Sequence, residues 1–214
     1  MGQAKAYVRF PEIIPVFPLT GALLLPHAEL PLNIFEPRYI DMVNDALRTE
    51  RLIGMVQPKR KEEEASGNRK TPLYQVGCVG KITSFAEMEG GTYHITLRGL
   101  SRFRILEELE TTTDYRRARV DWAEFTGDQT RTACFGFKQK DLFDILQKCF
   151  HLQGLVPCWE IFEEASDERV IAALSMVCPF DPREKQALLE AMDCKTRGAL
   201  LLTMLQMEIH TKVI

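Results

Sequence analysis

Hydrophobic positions are spaced differently in the two halves of this chain. From Ile13 to about Phe125 they form short runs broken by proline and glycine, and from about Phe137 to Ile214 they recur at helical spacing with few prolines. The first pattern predicts strands and the second amphipathic helices. The opening run, Ile13-Ile14-Pro15-Val16-Phe17-Pro18-Leu19, carries prolines. Proline cannot donate to a ladder, so this strand belongs at a sheet edge or a bulge. A second run of this kind is Leu30-Pro31-Leu32-Asn33-Ile34-Phe35. Glu36-Pro37 then opens a helix, because proline suits the first helical position and a carboxylate suits the positive end of the dipole. Within Arg38 to Arg48, the residues Tyr39, Met42, Val43, Ala46 and Leu47 share one face. Leu52 to Val56 reads as a short strand.

Residues 58 to 72 are polar, with Lys59-Arg60-Lys61 followed at once by Glu62-Glu63-Glu64. The charges nearly cancel, which describes a surface excursion between strands. Strands resume at Tyr74. Glu89-Gly90-Gly91-Thr92 predicts a hairpin, since paired glycines supply the positive φ of a primed turn. After it Tyr93, Ile95 and Leu97 alternate with polar residues, Gly99-Leu100-Ser101 reads as a turn, and Arg102 to Leu109 as the returning strand. Tyr115 to Trp122 is a further strand. Short strands at this spacing predict a small closed or nearly closed barrel. Helices are expected over Asp141–Phe150, Trp159–Glu164, Asp167–Val177, Pro182–Met192 and Thr196–His210, with Ser166 and Asp181 as N-caps. Helices of this length form a bundle. The expected division is a barrel subdomain over 1–125 and a helical subdomain over 126–214.

Composition narrows the function classes. The chain has 214 residues, 45% hydrophobic and 27% charged, enough for a sizeable core. Its net charge of −3 counts against nucleic acid, whose phosphates demand a basic face. None of the six cysteines has a neighbour at zinc-knuckle or redox-pair spacing, and the four histidines are scattered. Neither a metal nor another cofactor is therefore expected. Met1 to Phe10 lacks the apolar stretch of a secretory signal, and no apolar run reaches membrane-spanning length. The expectation is a soluble cytoplasmic protein with reduced cysteines.

The order of motifs resembles the N-terminal domain of Lon protease. Phe17-Pro18-Leu19, Leu25-Pro26, Leu30-Pro31-Leu32 and Ile34-Phe35-Glu36 are similar to that domain's opening. Tyr74 to Ile82, with Gly77 and Gly80, is similar to its strand with paired glycines, and Gly99, Arg102, Phe103 and Ile105 to its turn-and-return signature. Pro179 to Met192 resembles the helical segment behind the barrel. The likeness runs from about residue 12 to about residue 210, and Ile34 to Tyr39 looks nearest to the stand-alone branch that lacks the ATPase and protease modules. The resemblance implies an α+β fold, a PUA-like β pseudo-barrel followed by a C-terminal helical bundle. It also implies substrate engagement without cleavage. A phosphate loop would need Gly-Lys-Ser/Thr; the nearest string, Gly80-Lys81-Ile82-Thr83, lacks the hydroxyl at the required position and sits in a strand.

The expected function is thus non-catalytic polypeptide recognition, with unfolded or extended segments as partners and an adaptor role in protein quality control. A protease or chaperone partner and a homo-oligomer remain open. Proline-interrupted strands leave unpaired backbone groups where an extended chain can add. Phe35, Glu36, Arg38 and Tyr39 are the candidate rim of such a site, although Phe35 and Tyr39 equally suit a staple between helix and barrel. Gly198 to Ile209 is apolar on nearly all sides, making Leu201, Met204 and Met207 a candidate surface for a partner helix, with burial inside the bundle as the alternative. Two other classes stay open. RNA binding would use Arg117 and Arg119, which share a strand face, against pairing with Glu107, Glu108 or Asp121. Hydrolysis would need a Cys–His pair, such as Cys149 or Cys158 with His151, or a Ser–Lys site assembled in space.

Overall fold

The computed structural model describes residues 9–59, 71–130, 134, 142, 145, 147 and 165–213. They divide into two compact units, Met1–Arg131 and Thr132–Ile214, each treated separately below.

In the first unit six strands follow the proline- and glycine-punctuated runs: β1 (Ile13–Pro18), β2 (Glu29–Ile34), β3 (Leu52–Val56), β4 (Val76–Glu87), β5 (Tyr93–Leu109) and β6 (Arg116–Asp121). The sheet order is β2-β5-β4-β3-β1-β6, and β6 also pairs with β5. Five strands therefore close on themselves while β2 lies outside the ring, so this is a mixed sheet rather than a clean barrel. The parallel pair is β1–β3, with Val16 opposite Gly54. Between these two strands runs the helix α1 (Pro37–Leu47), with Glu36 as N-cap and Pro37 in its first turn. Its buried stripe, Tyr39, Met42, Val43 and Ala46, follows the helical period of the sequence. The ring is filled by Ile14, Val16, Val79, Phe103, Ala118 and Val120. A 3-10 helix, Ala123–Gln129, is tied to β5 by Asp128, whose carboxylate accepts from Arg102 Nε at 2.9 Å and Nη2 at 2.8 Å. The Arg102 guanidinium also lies over the Phe125 ring. Both charges of this pair are buried and mutually satisfied, the condition under which burial is tolerated.

Gly90 and Gly91 both take positive φ, and Met88 N–H donates to Thr92 O across the hairpin they turn. The predicted turn at Gly99-Leu100-Ser101 is instead strand: β5 runs unbroken through all three residues. Its register against β4 slips there, with Val79 opposite Ser101 but Gly80 opposite Gly99. Gly99 N–H donates to Ala28 O and Gly99 O accepts from His27 N–H. The glycine thus serves close approach of the 25–28 backbone, for a methyl on it would overlap the Leu25 carbonyl. The stems of the charged excursion meet through Pro58 opposite Leu73 and through Lys59 N–H donating to Pro72 O. Residues 60–70 lie outside the described residues.

The second unit contains helices α2 (Asp167–Val177), α3 (Pro182–Glu190) and α4 (Cys194–Val213). Asp181 caps α3 by accepting from Arg183 and Glu184 N–H, while Glu184 reaches back to Asp181 N–H, a complete capping box. Ser166 stands at the N-cap of α2 without a side-chain capping bond. Two buried cations close helix C-termini. Lys185 Nζ donates to Met176 O at 3.0 Å at the end of α2, and Arg197 Nε to Leu188 O at 2.8 Å near the end of α3. Burial pulls the Lys185 ammonium below the usual lysine range, with the nearby Cys178 acting in the opposite sense.

A disulfide joins Cys134 to Cys194. This corrects the expectation of reduced cysteines throughout. Spacing rules see only neighbours along the chain, and these two are 60 residues apart. Of the remaining helical expectations, Trp159–Glu164 lies outside the described residues, as does Asp141–Phe150 apart from the helical Leu142, Ile145 and Gln147.

Candidate functional site

A groove of about 400 Å³ lies where β1 ends, β2 ends and α1 begins. Phe17, Pro18 and Leu19 form one side, Leu32, Asn33 and Ile34 a second, and Phe35, Glu36, Arg38 and Tyr39 a third. Among the described residues β2 pairs with β5 alone, so its other edge faces no strand. In an edge strand alternate residues turn their backbone groups away from the sheet. The chain leaves β2 at Ile34 and enters α1 within three residues, because Pro37 has its φ preset for a first helical turn. That short passage holds Phe35 and Glu36 beside the open edge.

The four rim residues named from the sequence therefore come together, with different roles. Phe35 is 68% exposed, whereas Tyr39 is 7% exposed. Tyr39 packs on Phe17 with ring centroids 4.2 Å apart, so it forms the floor and fastens α1 to β1. Arg38 Nε and Nη2 both donate to Glu36 Oε2, at 2.9 and 2.6 Å, and the guanidinium lies 4.6 Å from the Tyr39 ring centroid. Glu36 spends its carboxylate on this ion pair and makes no side-chain capping bond to the helix. The groove so presents an apolar wall, one exposed aromatic and a half-exposed ion pair. These groups suit non-covalent recognition of an apolar segment.

The face of β2 that lines the groove continues across the sheet. Ile34 stands opposite Tyr93, and Tyr93 opposite Glu87; Leu32 stands opposite Ile95, and Ile95 opposite Phe85. Sequence reasoning missed this extension, although the alternation of β5 and the position of the hairpin place Phe85 and Tyr93 on one face. Their rings meet edge to face at 4.9 Å, and Tyr93 Oη donates to Asn44 Oδ1 of α1. Phe85 and Met88 are 41% and 43% exposed at the hairpin end.

The other candidates fare differently. On α4, Leu201 and Met204 are buried within the helical unit, while Met207 is 65% exposed. The inward stripe Arg197, Leu201, Met204 and Leu205 has helical spacing, so the partner surface expected on Leu201, Met204 and Met207 together does not form, and Met207 alone is accessible. Of the arginines in β6, Arg116 and Arg119 are engaged by carboxylates, whereas the candidate Arg117 forms no ion pair among the described residues. Arg116 pairs with Glu108, Arg119 with Glu107 and Arg104 with Glu124, so these three are not a free cationic strip. Gly80-Lys81 lies within β4, with Gly80 against Leu24 and Leu97. Cys149, His151 and Cys158 lie outside the described residues. Among the described residues no cluster of three or more potential ligands could hold a metal ion, and no helix is long and apolar enough to cross a membrane.

Comparison with known proteins matches residues 13–207 to the model of the ATP-dependent protease La (LON) substrate-binding domain. Lon protease 2 of Myxococcus xanthus is 31% identical over 202 residues, covering 91% of this chain and 24% of that protein. Lon protease of Dictyoglomus thermophilum is 28% identical over 193 residues, covering 87% of this chain and 23% of that protein. The chain thus spans about a quarter of the length of the curated relatives it matches. Among solved structures, a Lon N-terminal domain protein from Xanthomonas campestris superposes with a TM-score of 0.61 at 21% identity, covering 89% of this chain and 97% of that one. The N-terminal domain of a Mycobacterium avium complex Lon protease also gives 0.61, at 18% identity, covering 91% and 98%.

Proposed function

Because the chain belongs to the ATP-dependent protease La (LON) substrate-binding domain family, we propose that it recognises extended polypeptide at the groove between β1, β2 and α1. The observation that carries this reading is Phe35, 68% exposed beside the edge of β2 that faces no described strand and above an apolar floor. An unfolded segment offers backbone groups and apolar side chains together, and this groove meets both kinds with an open strand edge and an apolar wall. A folded client has already spent those groups internally.

In this reading Phe35 is the anchor, Tyr39 supports it from below, and the Glu36–Arg38 pair fixes the mouth of the groove. Recognition needs no bond-breaking by this chain, which acts as a non-catalytic adaptor in cytoplasmic protein quality control and delivers what it holds to a separate protease or chaperone. The PUA-like pseudo-barrel over 1–125 does the binding, and the helical bundle over 126–214 presents it to the partner, with Val177, Met192 and Met207 among that unit's exposed apolar side chains.

The test is equilibrium binding of a fluorescently labelled, reduced and carboxymethylated protein, compared with its native form. The unfolded form should bind and the native form should not. Phe35→Ser should weaken binding roughly tenfold, the loss expected from about 1.4 kcal/mol of anchor contact. Failure to bind either form would overturn the reading, as would unchanged affinity in the Phe35→Ser protein.

A further inference from the structure

We propose that this groove prefers segments in which an aromatic or aliphatic residue is flanked by lysine or arginine, an inference that rests on the polypeptide reading above and adds the charge of the occupant. The apolar surface is exposed at Phe35, Phe85 and Met88. What surrounds it is acidic. Ile34, Tyr93 and Glu87 form a row across β2, β5 and β4, so Glu87 stands two strand spacings, about 10 Å, from the groove-lining Ile34. Glu89 follows in the exposed turn of the same hairpin. Asp41 is exposed on α1, one turn from Pro37 and three residues before the Asn44 that holds Tyr93.

Among the residues that line the groove the cation is Arg38, and it is bonded to Glu36. That pair neutralises itself and leaves Asp41, Glu87 and Glu89 as net negative charge around the apolar surface. None of the three forms an ion pair with a described cation. His94, the next basic side chain along β5, stands opposite Asn33 and Ala86 and so belongs to the other face of the sheet.

A cationic residue beside an apolar anchor satisfies this surface twice. Its ammonium or guanidinium meets the carboxylates, while its methylene stem lies along aromatic rings whose faces attract cations. An acidic flank would meet like charge at the same distance. Exposed ion pairs are individually weak, so a peptide touching two of the carboxylates should gain roughly three- to tenfold in affinity at low salt, and screening should remove the gain.

Three labelled peptides with one apolar core and flanking lysines, serines or glutamates test this on the full chain, at about 50 mM and about 500 mM salt, conditions that shorten the screening length several-fold. At low salt the lysine-flanked peptide should bind tightest and the glutamate-flanked one weakest. The three should converge at high salt. In the Glu87→Gln, Glu89→Gln protein the lysine preference should fall at least threefold while the serine-flanked peptide binds as before. Equal binding of all three at low salt overturns this inference and leaves polypeptide recognition standing. A lysine preference undiminished by the double substitution also overturns it, because the two hairpin carboxylates would then contribute nothing. If none of the three binds, the polypeptide reading falls and this inference with it.

Discussion

Tyr115 precedes β6, and its hydroxyl donates to Asp45 Oδ2 of α1 at 2.9 Å. Burial first, and then the bond to a carboxylate, push this phenol up to about 12. The neutral form is the one the fold holds, so its contribution is complete below the ordinary phenol value near 10 and is lost as pH rises through 12. Stability should fall between about pH 10 and pH 12 by an amount on the order of 2 kcal/mol. Urea unfolding at pH 8 and pH 12 measures it, with Tyr115→Phe as the control. The variant should be less stable at pH 8 by about 1 kcal/mol and should show a smaller alkaline loss. An alkaline loss of the same size in both proteins would remove Tyr115 as its source. Nothing in the sequence pairs Tyr115 with Asp45, because the two are 70 residues apart and neither belongs to a local motif. The same limit applies to Phe35 and Tyr39. Their position around a helix start is readable from Glu36-Pro37, but which ring points to solvent depends on Phe17, and that contact comes from another strand.

At the level of elements, local chemistry was legible wherever one residue type dictates backbone geometry. Pro37 and Asp181-Pro182 mark helix starts, and Gly90-Gly91 marks a hairpin whose two φ values are both positive. Gly99 misled for a physical reason, since glycine serves tight turns and close approaches alike and the sequence does not show which is required. The structure makes it a close approach inside the long strand β5, where Leu25 lies against it. Gly99→Ala should therefore destabilise the first unit by about 2 kcal/mol or more, through displacement of the 25–28 backbone rather than through strand propensity. Gly90→Ala provides the contrast, because its cost comes from positive φ with open space around it. Guanidinium unfolding compares them. A smaller loss for Gly99→Ala than for Gly90→Ala would mean that the 25–28 segment yields freely. Proline was an ambiguous guide to sheet edges: β2, which carries Pro31, lies outermost, but β1, expected at an edge or bulge for its prolines, is paired on both sides by β3 and β6. The pairing of β2 with β5 and the row from Leu32 to Phe85 were not legible, because register emerges only once strands are paired.

For the molecule as a whole, the disulfide and the division into units make a joint prediction. Cys134 and Cys194 both belong to the second unit, and their bond closes a 60-residue loop. The loop-entropy relation assigns such a closure about 4 kcal/mol, obtained by restricting the unfolded chain. A unit whose described helices depend on burial of Leu174, Leu188, Leu201 and Leu205 has a stability of comparable size at stake. Reduction, or Cys134→Ser with Cys194→Ser, should thus loosen α2, α3 and α4 while leaving the strand order of the first unit intact. Hydrogen exchange read residue by residue separates the two. Amide protection over 167–213 should fall by two to three orders of magnitude, the size expected from about 4 kcal/mol less some relaxation, and protection in β3, β4 and β5 should hold. Equal loss in both units would mean that they unfold as one cooperative body. Unchanged protection in the helices would mean that the cross-link contributes nothing there. Since the groove lies wholly in the first unit, peptide affinity should survive reduction, and any presentation of the bound segment that uses the helices should not.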